Sequence, residues 1–174
     1  MRTEIYWIPG SWSGRLAIAP RPRGGEWLDD EVAEWRTAGI SVVASLLTND
    51  EITELELVRE GQLCLANDIE FISFPMTDGA IPDSRQAVRD LVTTLSQCLS
   101  SAKSVLVHCR QGFGRSGIIA ACLFTAFGEN PETAVERISA ARGRSVPDTP
   151  EQKGWIMDFA KAARNVSWRK SSAK

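Results

Sequence analysis

The chain has 174 residues, of which 43% are hydrophobic and 24% charged, with a formal net charge of −2. This length supports one domain with a full core and leaves too little chain for two. A slightly acidic protein has no net attraction to nucleic acid or to an anionic membrane, so anion binding must come from local geometry. The sequence shows neither a signal peptide nor an apolar run near the roughly 20 residues of a membrane span. We therefore expect a cytoplasmic monomer that binds neither nucleic acid nor membrane.

The four cysteines are irregularly spaced and include no Cys-x-x-Cys pair, a pattern typical neither of a zinc site nor of a disulfide framework. Cys64, Cys98 and Cys122 fit the common role of a buried cysteine, that of a small hydrophobic residue. Cys109 differs because it lies in a glycine-rich segment. The sequence predicts reduced thiols and neither a metal nor a cofactor.

Hydrophobic periodicity in the first half of the chain predicts alternating strands and helices. The opening segment is rich in tryptophan, proline and glycine and is expected to be extended and looped. Residues 40–47 are apolar and β-branched, the pattern of a strand buried on both faces of a parallel sheet. In chain order we predict a strand over 16–19, a helix from Leu28 that ends at Gly39, a strand over 40–47, and a helix capped by residues 48–51 that carries Ile52, Leu55 and Val58.

The second half continues the alternation, with one clearly amphipathic helix over 84–99. The other predicted elements are strands over 69–75 and 104–108 and helices over 116–127, 131–142 and 150–163. This order predicts an α/β fold: a single domain over 1–164, with a central, mainly parallel sheet of four to five strands flanked by helices on both faces. A basic tail follows over 165–174. Ligands of such sheets bind beyond the carboxyl ends of the strands.

The segment from His108 to Gly117 places a cysteine and an arginine six positions apart, directly after a predicted strand. Backbone N–H groups, a helix N-terminus and a fixed cation all favour the thiolate form of a cysteine. Gly112 and Gly114 allow a turn in which successive N–H groups face inward and form an anion nest. Arg115 can make a planar, bidentate contact to two phosphoryl oxygens. The segment therefore predicts a cup that holds a thiolate beside a tetrahedral oxyanion.

Other residues of this segment have predicted supporting roles. Ser116 could hydrogen-bond the sulfur and ease its departure from a phosphocysteine. His108, the one histidine of the chain, is expected to order the loop rather than act as a base, because a thiolate needs none. The residues predicted to bind substrate are Arg110, Gln111, Gly112, Phe113, Gly114 and Arg115.

The residues His108-Cys109-x5-Arg115-Ser116-Gly117 resemble the signature of the cysteine-dependent protein phosphatases, and most nearly their compact dual-specificity branch, including kinase-associated phosphatase-like proteins. Residues 75–83 are similar to the general-acid loop of that branch, 39–47 to its early strand and 146–159 to its C-terminal element. The resemblance covers most of residues 5–160. It implies metal-independent hydrolysis of phosphate monoesters in phosphoproteins through a phosphocysteine intermediate on Cys109.

Displacing an alkoxide from phosphate requires a proton donor, and a carboxylic acid on a loop above the cup can supply it and then act as base for the hydrolytic water. Asp78 is the predicted acid, from its place after a strand and from the resemblance. Asp83 is the alternative, although Pro82-Asp83-Ser84 is more typical of a helix cap. Many relatives place the glutamine of an Ile-Gln-Thr sequence at that water. This chain has Pro147-Asp148-Thr149 there, so Asp148 and the later Gln152 are the candidates for water positioning.

The substrate stays open at this point. The chain has no match to the tyrosine-bearing recognition loop of the larger tyrosine-specific phosphatases, which implies a shallow cup for phosphotyrosine, phosphoserine or phosphothreonine. An RNA 5′-triphosphate, a phosphoinositide or an inositol phosphate is an alternative substrate for the same loop. A non-catalytic phosphate-binding module is a third interpretation, although such proteins usually lose the cysteine, arginine or acid that this chain retains. Arg142 and Arg144 fit the ordinary role of solvated surface charges, with a position at the border of the site as the alternative.

Overall fold

The computed structural model describes residues 4–165. Within them, five strands form one sheet: β1 (Tyr6–Ile8), β2 (Arg15–Pro20), β3 (Val42–Ser45), β4 (Glu70–Ser73) and β5 (Ser104–Cys109). Their order across the sheet is β1-β2-β5-β3-β4. The short strand β1 pairs antiparallel with β2, and all other neighbours are parallel. The predicted single-domain α/β fold with a mainly parallel sheet is confirmed.

Helices cover both faces of this sheet. The described helices are α1 (Leu28–Thr37), α2 (Asn49–Glu54), α3 (Glu60–Ala66), α4 (Arg85–Ser100), α5 (Arg115–Ala126), α6 (Pro131–Arg142) and α7 (Pro150–Asn165). Helices α1 and α3 contribute their buried side chains to one core, whereas α4, α5, α6 and α7 build the larger core on the other face. No described helix is both long and apolar enough to cross a membrane.

Local sequence signals set several helix starts. Ser84, rather than Asp83, caps α4 by accepting from the Ala87 N–H, and Asn130 caps α6 in front of a first-turn proline. At α7 the cap is reciprocal, because Thr149 Oγ1 accepts from the Gln152 N–H while Gln152 Oε1 accepts from the Thr149 N–H. This cap fixes the side chain of Gln152, a candidate for water positioning, at the start of α7.

Strand β5 lies in the middle of the sheet and is buried along its whole length. Because side chains alternate along a strand, Val107 and Cys109 face the core built by α4 to α7, whereas Leu106 belongs to the core under α1 and α3. His108 therefore faces α1 and α3. Cys109 is the last residue of the strand, at the carboxyl edge where ligands of parallel sheets bind.

Two predictions about elements were wrong. Residues 6–8, expected as loop, form an edge strand. The helix predicted to carry Ile52, Leu55 and Val58 ends at Glu54, because the chain turns through Glu56 at φ 56° before α3 begins. Val58 is consequently 73% exposed. Most of the predicted tail, 166–174, lies outside the described residues, and its first residue, Asn165, ends α7.

Candidate active site

The loop after β5 turns back around the sulfur of Cys109. The Gly112 N–H donates to Cys109 Sγ at 3.2 Å, and the Cys109 thiol donates to Ser116 Oγ at 3.5 Å. Gly112 has a φ of 73°, and a Cβ there would lie 2.4 Å from the backbone of β2. Only glycine tolerates both the positive φ and the lack of room for a Cβ. This conformation of the loop places the Gly112 N–H within hydrogen-bond distance of the sulfur.

Arg115, the first residue of α5, is fully buried and points its guanidinium into the same region. Its Nη1 donates to the carbonyl oxygens of Leu46 at 3.2 Å and Met76 at 2.8 Å, at the ends of two neighbouring strand segments. Its Nε has no hydrogen-bond partner among residues 4–165. The guanidinium is therefore fixed in place while keeping a donor to offer.

Glu51 holds the other side of this guanidinium and was not among the predicted site residues. Arg115 Nη1 donates to Glu51 Oε2 at 2.7 Å, and Nη2 donates to Oε1 at 2.8 Å. The same carboxylate accepts from the Thr48 N–H at 2.9 Å, completing the capping box of α2. Burial acts to raise the pKa of Glu51, but the hydrogen bonds from Arg115 and Thr48 outweigh it and leave the pKa below its ordinary value.

The sequence contained one signal for Glu51 that pointed to a different role. In Thr48-Asn49-Asp50-Glu51, a glutamate three residues after a threonine predicts helix capping, and the structure shows that cap. The second partner of the carboxylate, Arg115, is 64 residues away in the chain. Sequence spacing cannot predict such a contact without the fold.

Asp78 lies in the loop that follows β4, and the structure brings it to Arg115. Its Oδ1 is 3.0 Å from Arg115 Nη2, while 58% of the side chain remains exposed. The alternative acid, Asp83, is exposed beside the cap of α4. The geometry thus places one loop carboxylate at the cup, accessible to solvent on its other side.

Gln152 is fully buried and joins the acid loop to the start of α7. Its Oε1 accepts from the backbone N–H groups of Asp148 and Thr149, and its Nε2 donates to the Ala80 carbonyl at 3.2 Å. A Cβ on Gly114 would lie 3.6 Å from the same amide. The Ala80 carbonyl uses one of the two N–H groups of Gln152 Nε2, and the exposed Asp148 side chain lies next to Gly114.

Two arginines make contacts on the outer side of the loop that follows β5. Arg110 makes a bidentate pair with Glu54, with Nη2 to Oε1 at 2.7 Å and Nη1 to Oε2 at 3.1 Å. Arg142 donates to the carbonyls of Gly112 and Gln111 at 3.0 and 3.2 Å. The peptide unit between Gln111 and Gly112 thus turns its carbonyl outward to Arg142 and its N–H toward Cys109 Sγ. The role of Arg142 is therefore more specific than the surface charge expected from sequence.

Phe113 is half-buried at the rim. The Arg144 guanidinium lies 3.7 Å from its ring centroid, within the range of a cation–π contact. Gln111 is exposed beside it. The rim thus combines an aromatic face with positive charge, next to the predicted position of the phosphate.

His108 lies behind the loop rather than in it. Its Nε2 is 2.8 Å from Glu60 Oε1, and both side chains are almost completely buried. Glu60, the first residue of α3, was also missed by sequence reasoning, since α3 itself was not predicted. The structure thus places two unforeseen carboxylates, Glu51 and Glu60, against the two basic residues of the signature.

Cys64, Cys98 and Cys122 are buried and lie outside the loop that surrounds Cys109. Burial raises the pKa of the Cys64 thiol to about 12, with a further contribution from the negative charge of Glu60. Burial alone raises the pKa of Cys122 well above its usual range. All four cysteines are unbridged. No group of three or more His, Cys, Asp or Glu side chains within 4–165 is arranged to hold a metal ion.

Comparison with known proteins agrees with this geometry. The family model described as "Swiss Army Knife protein, DSP-PTPase phosphatase domain" matches residues 11–172. The chain is similar to human cyclin-dependent kinase inhibitor 3, with 26% identity over 147 residues that cover 83% of this chain and 69% of that protein.

Two solved structures show the fold. One is kinase associated phosphatase with its catalytic-site cysteine substituted by serine, which matches with a TM-score of 0.86 and 22% identity over 95% of this chain and 98% of that one. The other is PTPMT1 in complex with PI(5)P, with a TM-score of 0.68 and 18% identity over 87% and 94% of the two chains.

Proposed function

Since the chain belongs to the Swiss Army Knife family of dual-specificity phosphatase domains and is a protein-tyrosine/dual-specificity phosphatase, we propose that it hydrolyses phosphate monoesters in proteins through a phosphocysteine on Cys109. The observation that carries the proposal is the meeting of Sγ, the Gly112 N–H, Ser116 and the buried Arg115 in one cup. A thiolate and a bound oxyanion need these groups together.

Binding begins with the phosphate dianion in this cup. The inward N–H groups of the loop and Arg115 Nε donate to its oxygens, and Arg115 Nη2 passes from Asp78 to the phosphate. Arg115 needs no rearrangement for this, because Glu51 and two carbonyls already hold its other side. Such preorganised donors stabilise the charge that develops in the transition state. All of this charge comes from the chain, so the proposed reaction needs no metal.

The first chemical step forms the Sγ–P bond as the P–O bond to the leaving group breaks. Asp78 donates its proton to the leaving oxygen, which departs as an alcohol or phenol. Its loop position fits this role, since the carboxylate touches Arg115 on one side and solvent on the other.

The second step returns the enzyme to its starting state. Asp78, now a carboxylate, takes a proton from water as the water oxygen bonds to phosphorus and the S–P bond breaks. Ser116 donates its hydroxyl proton in a hydrogen bond to the departing thiolate. We assign water positioning to the free N–H of Gln152, with Asp148 at the rim as the second candidate. Gln152 suits the task because its contact with Ala80 couples it to the acid loop.

A phosphoprotein is the substrate class that we propose. The similar protein is named a cyclin-dependent kinase inhibitor, and the similar structure a kinase associated phosphatase. The rim formed by Phe113, Arg110 and Gln111 would contact the peptide around the phosphorylated side chain. We place the activity in the cytoplasm, in a monomer with reduced thiols.

The Cys109→Ser variant tests the proposal. We expect turnover of an aryl phosphate to fall to background, with and without EDTA, while vanadate still binds the variant. Cys98→Ser is the matched control, since Cys98 is a buried cysteine of α4 outside the cup, and it should keep wild-type activity. Substantial activity in Cys109→Ser would overturn the assignment of the nucleophile. Profiling on phosphopeptides, phosphoinositides and triphosphorylated RNA then separates the protein substrate from its alternatives.

A further inference from the structure

Arg142 contacts the loop around Cys109 from the outside, through main-chain atoms of the loop. It is a half-buried residue in the last turn of α6. Its Nε donates to the Gly112 carbonyl at 3.0 Å, and its Nη2 donates to the Gln111 carbonyl at 3.2 Å. Hydrogen bonds from a charged donor are stronger than those between neutral groups. One edge of the guanidinium therefore holds the carbonyls of two consecutive loop residues.

Elements on two sides fix the position of Arg142. Helix α6 ends at Gly143, which has the left-handed φ of 72° typical of a helix C-cap and donates its N–H to the Ser139 carbonyl at 2.9 Å. On the other side, the ring centroid of Tyr6 on β1 lies 4.0 Å from the guanidinium carbon, a cation–π contact. The guanidinium thus lies between the edge strand of the sheet and the loop.

The peptide unit between Gln111 and Gly112 connects Arg142 to the nucleophile. Its carbonyl accepts from Arg142, and its N–H donates to Cys109 Sγ at 3.2 Å. The C=O and N–H of a trans peptide lie in one plane and point in opposite directions. A hydrogen bond on the outer side of the loop therefore fixes the direction of the donor on the inner side.

The backbone at Gly112 does not by itself select this orientation. Its φ is 73°, and glycine adopts positive and negative φ about equally well. Reversal of the peptide unit would turn the Gln111 carbonyl toward Sγ and the Gly112 N–H toward Arg142. The cup would then lose a donor and gain a partial negative charge, which repels an anion. Arg142 disfavours the reversed unit, because its own N–H groups would face another N–H.

We propose that Arg142 is a positioning residue for the phosphate-binding loop: it holds the Gln111 and Gly112 carbonyls outward, and so keeps the Gly112 N–H directed into the cup before the substrate arrives. The inference rests on the proposed function, since it concerns the same cup. Without Arg142, part of the population holds the reversed peptide. Binding is then weakened in proportion to the fraction that remains competent.

The Arg142→Met variant tests this role, because methionine keeps an unbranched apolar side chain and removes the donors. We expect the KM for an aryl phosphate and the Kd of vanadate to rise about tenfold. Saturating substrate selects the competent orientation, so kcat should change by less than about twofold. A general loss of folded enzyme would instead lower kcat and leave KM unchanged, and that result would overturn the proposal.

Two further variants separate orientation from charge and from the stability of α6. Arg142→Lys keeps the charge, but lysine donates from a single atom and cannot hold both carbonyls in one plane. Its KM and its Kd for vanadate should therefore stay close to those of Arg142→Met. Arg137→Met is the matched control, since Arg137 is a half-buried arginine of the same helix that contacts Glu129 at 2.9 Å and the Phe124 ring.

The control should keep the wild-type KM and Kd. Wild-type values in Arg142→Lys would show that charge alone is required, and an equal rise in Arg137→Met would show a general effect of α6. Either result would overturn the role of Arg142.

Crystal structures of the wild type and of Arg142→Met, grown without phosphate or sulfate, show the peptide unit directly. We expect the Gln111 carbonyl to face outward in the wild type and to face Cys109, fully or as a second conformer, in the variant. A variant that holds only the wild-type orientation would overturn the proposal. Neither these structures nor vanadate binding depends on turnover. An active Cys109→Ser variant would therefore overturn the proposed function and leave the result on Arg142 unchanged.

Discussion

Two buried carboxylates hold two basic residues of the signature segment, Arg115 and His108, and they do so differently. Glu51 meets Arg115 through two aligned hydrogen bonds of 2.7 and 2.8 Å and is itself fixed by Thr48. Glu60 meets His108 at 2.8 Å without such alignment. Arginine is always charged, whereas histidine carries charge only when protonated. The first pair therefore fixes a permanent charge inside the cup, whereas the second holds a side chain behind the loop.

Arg115→Lys breaks the first pair most severely. Lysine keeps the charge but cannot donate in parallel to Glu51 and still present donors to a phosphate. We expect kcat/KM on an aryl phosphate to fall about 1,000-fold. Arg36→Lys, an exposed substitution at the end of α1, is the control and should leave kcat/KM unchanged. If kcat/KM of Arg115→Lys fell less than tenfold, a positive charge at this position would be sufficient for catalysis without the paired N–H donors of arginine.

Asp78 is the exposed carboxylate on the same arginine, and its variant separates positioning from proton donation. We expect Asp78→Asn to lower kcat about 100-fold or more on an alkyl phosphate and far less on an aryl phosphate, whose leaving group needs little protonation. Steady-state kinetics on both substrates measures the difference. An equal loss on the two would remove Asp78 from the acid role.

Glu51→Gln weakens the first pair while keeping its shape and the capping pattern. Arg115 loses its charged partner, so we expect stability to fall by about 2 kcal/mol, and kcat/KM to fall about 10-fold to 100-fold. Chemical denaturation and kinetics at neutral pH provide the two values. A variant with unchanged kcat/KM would show that the two carbonyls hold Arg115 without Glu51.

The same variant gives a pH dependence with a defined sign. Because the folded pKa of Glu51 lies below its ordinary value of 4.5, its contribution to stability is fully present above that value and is lost as pH falls through the lowered pKa. The difference in free energy of unfolding between wild type and Glu51→Gln should therefore shrink on acidification. A difference that is constant or grows toward low pH would contradict the pairing.

The smallest expected effect concerns the thiol beside the second pair. With its pKa raised to about 12 by burial and by Glu60, Cys64 should remain unmodified by iodoacetamide between pH 7 and 9 while Cys109 reacts. Peptide mapping by mass spectrometry distinguishes the two. Modification of Cys64 at a comparable rate would show that α3 opens readily and that its charge pair is not enclosed.

Sequence reasoning predicted the parts of this molecule that depend on local pattern. The strand predicted over 104–108 and the amphipathic α4 carry short-range signals, and the structure shows both. Cys109, Arg115 and Asp78 were expected to meet because parallel strands end at one edge. That expectation rested on the order of the strands and, for Asp78, also on the family resemblance.

The parts that were missed depend on tertiary contacts. Glu51 and Glu60 look like ordinary helix residues until the fold brings Arg115 and His108 to them. The break between α2 and α3 passes through Glu56 at positive φ, where no glycine marks the turn. Arg142 likewise gains its role only when α6 lies beside the loop carbonyls.

The central claim is that phosphate passes through Cys109, and trapping the intermediate tests it most directly. The enzyme is mixed with an aryl phosphate, quenched in acid within the first turnover and digested, and the peptides are mapped by mass spectrometry. We predict phosphate on the peptide that contains Cys109, and none in Cys109→Ser. Turnover without a phosphorylated peptide, or phosphate on another residue, would contradict the account.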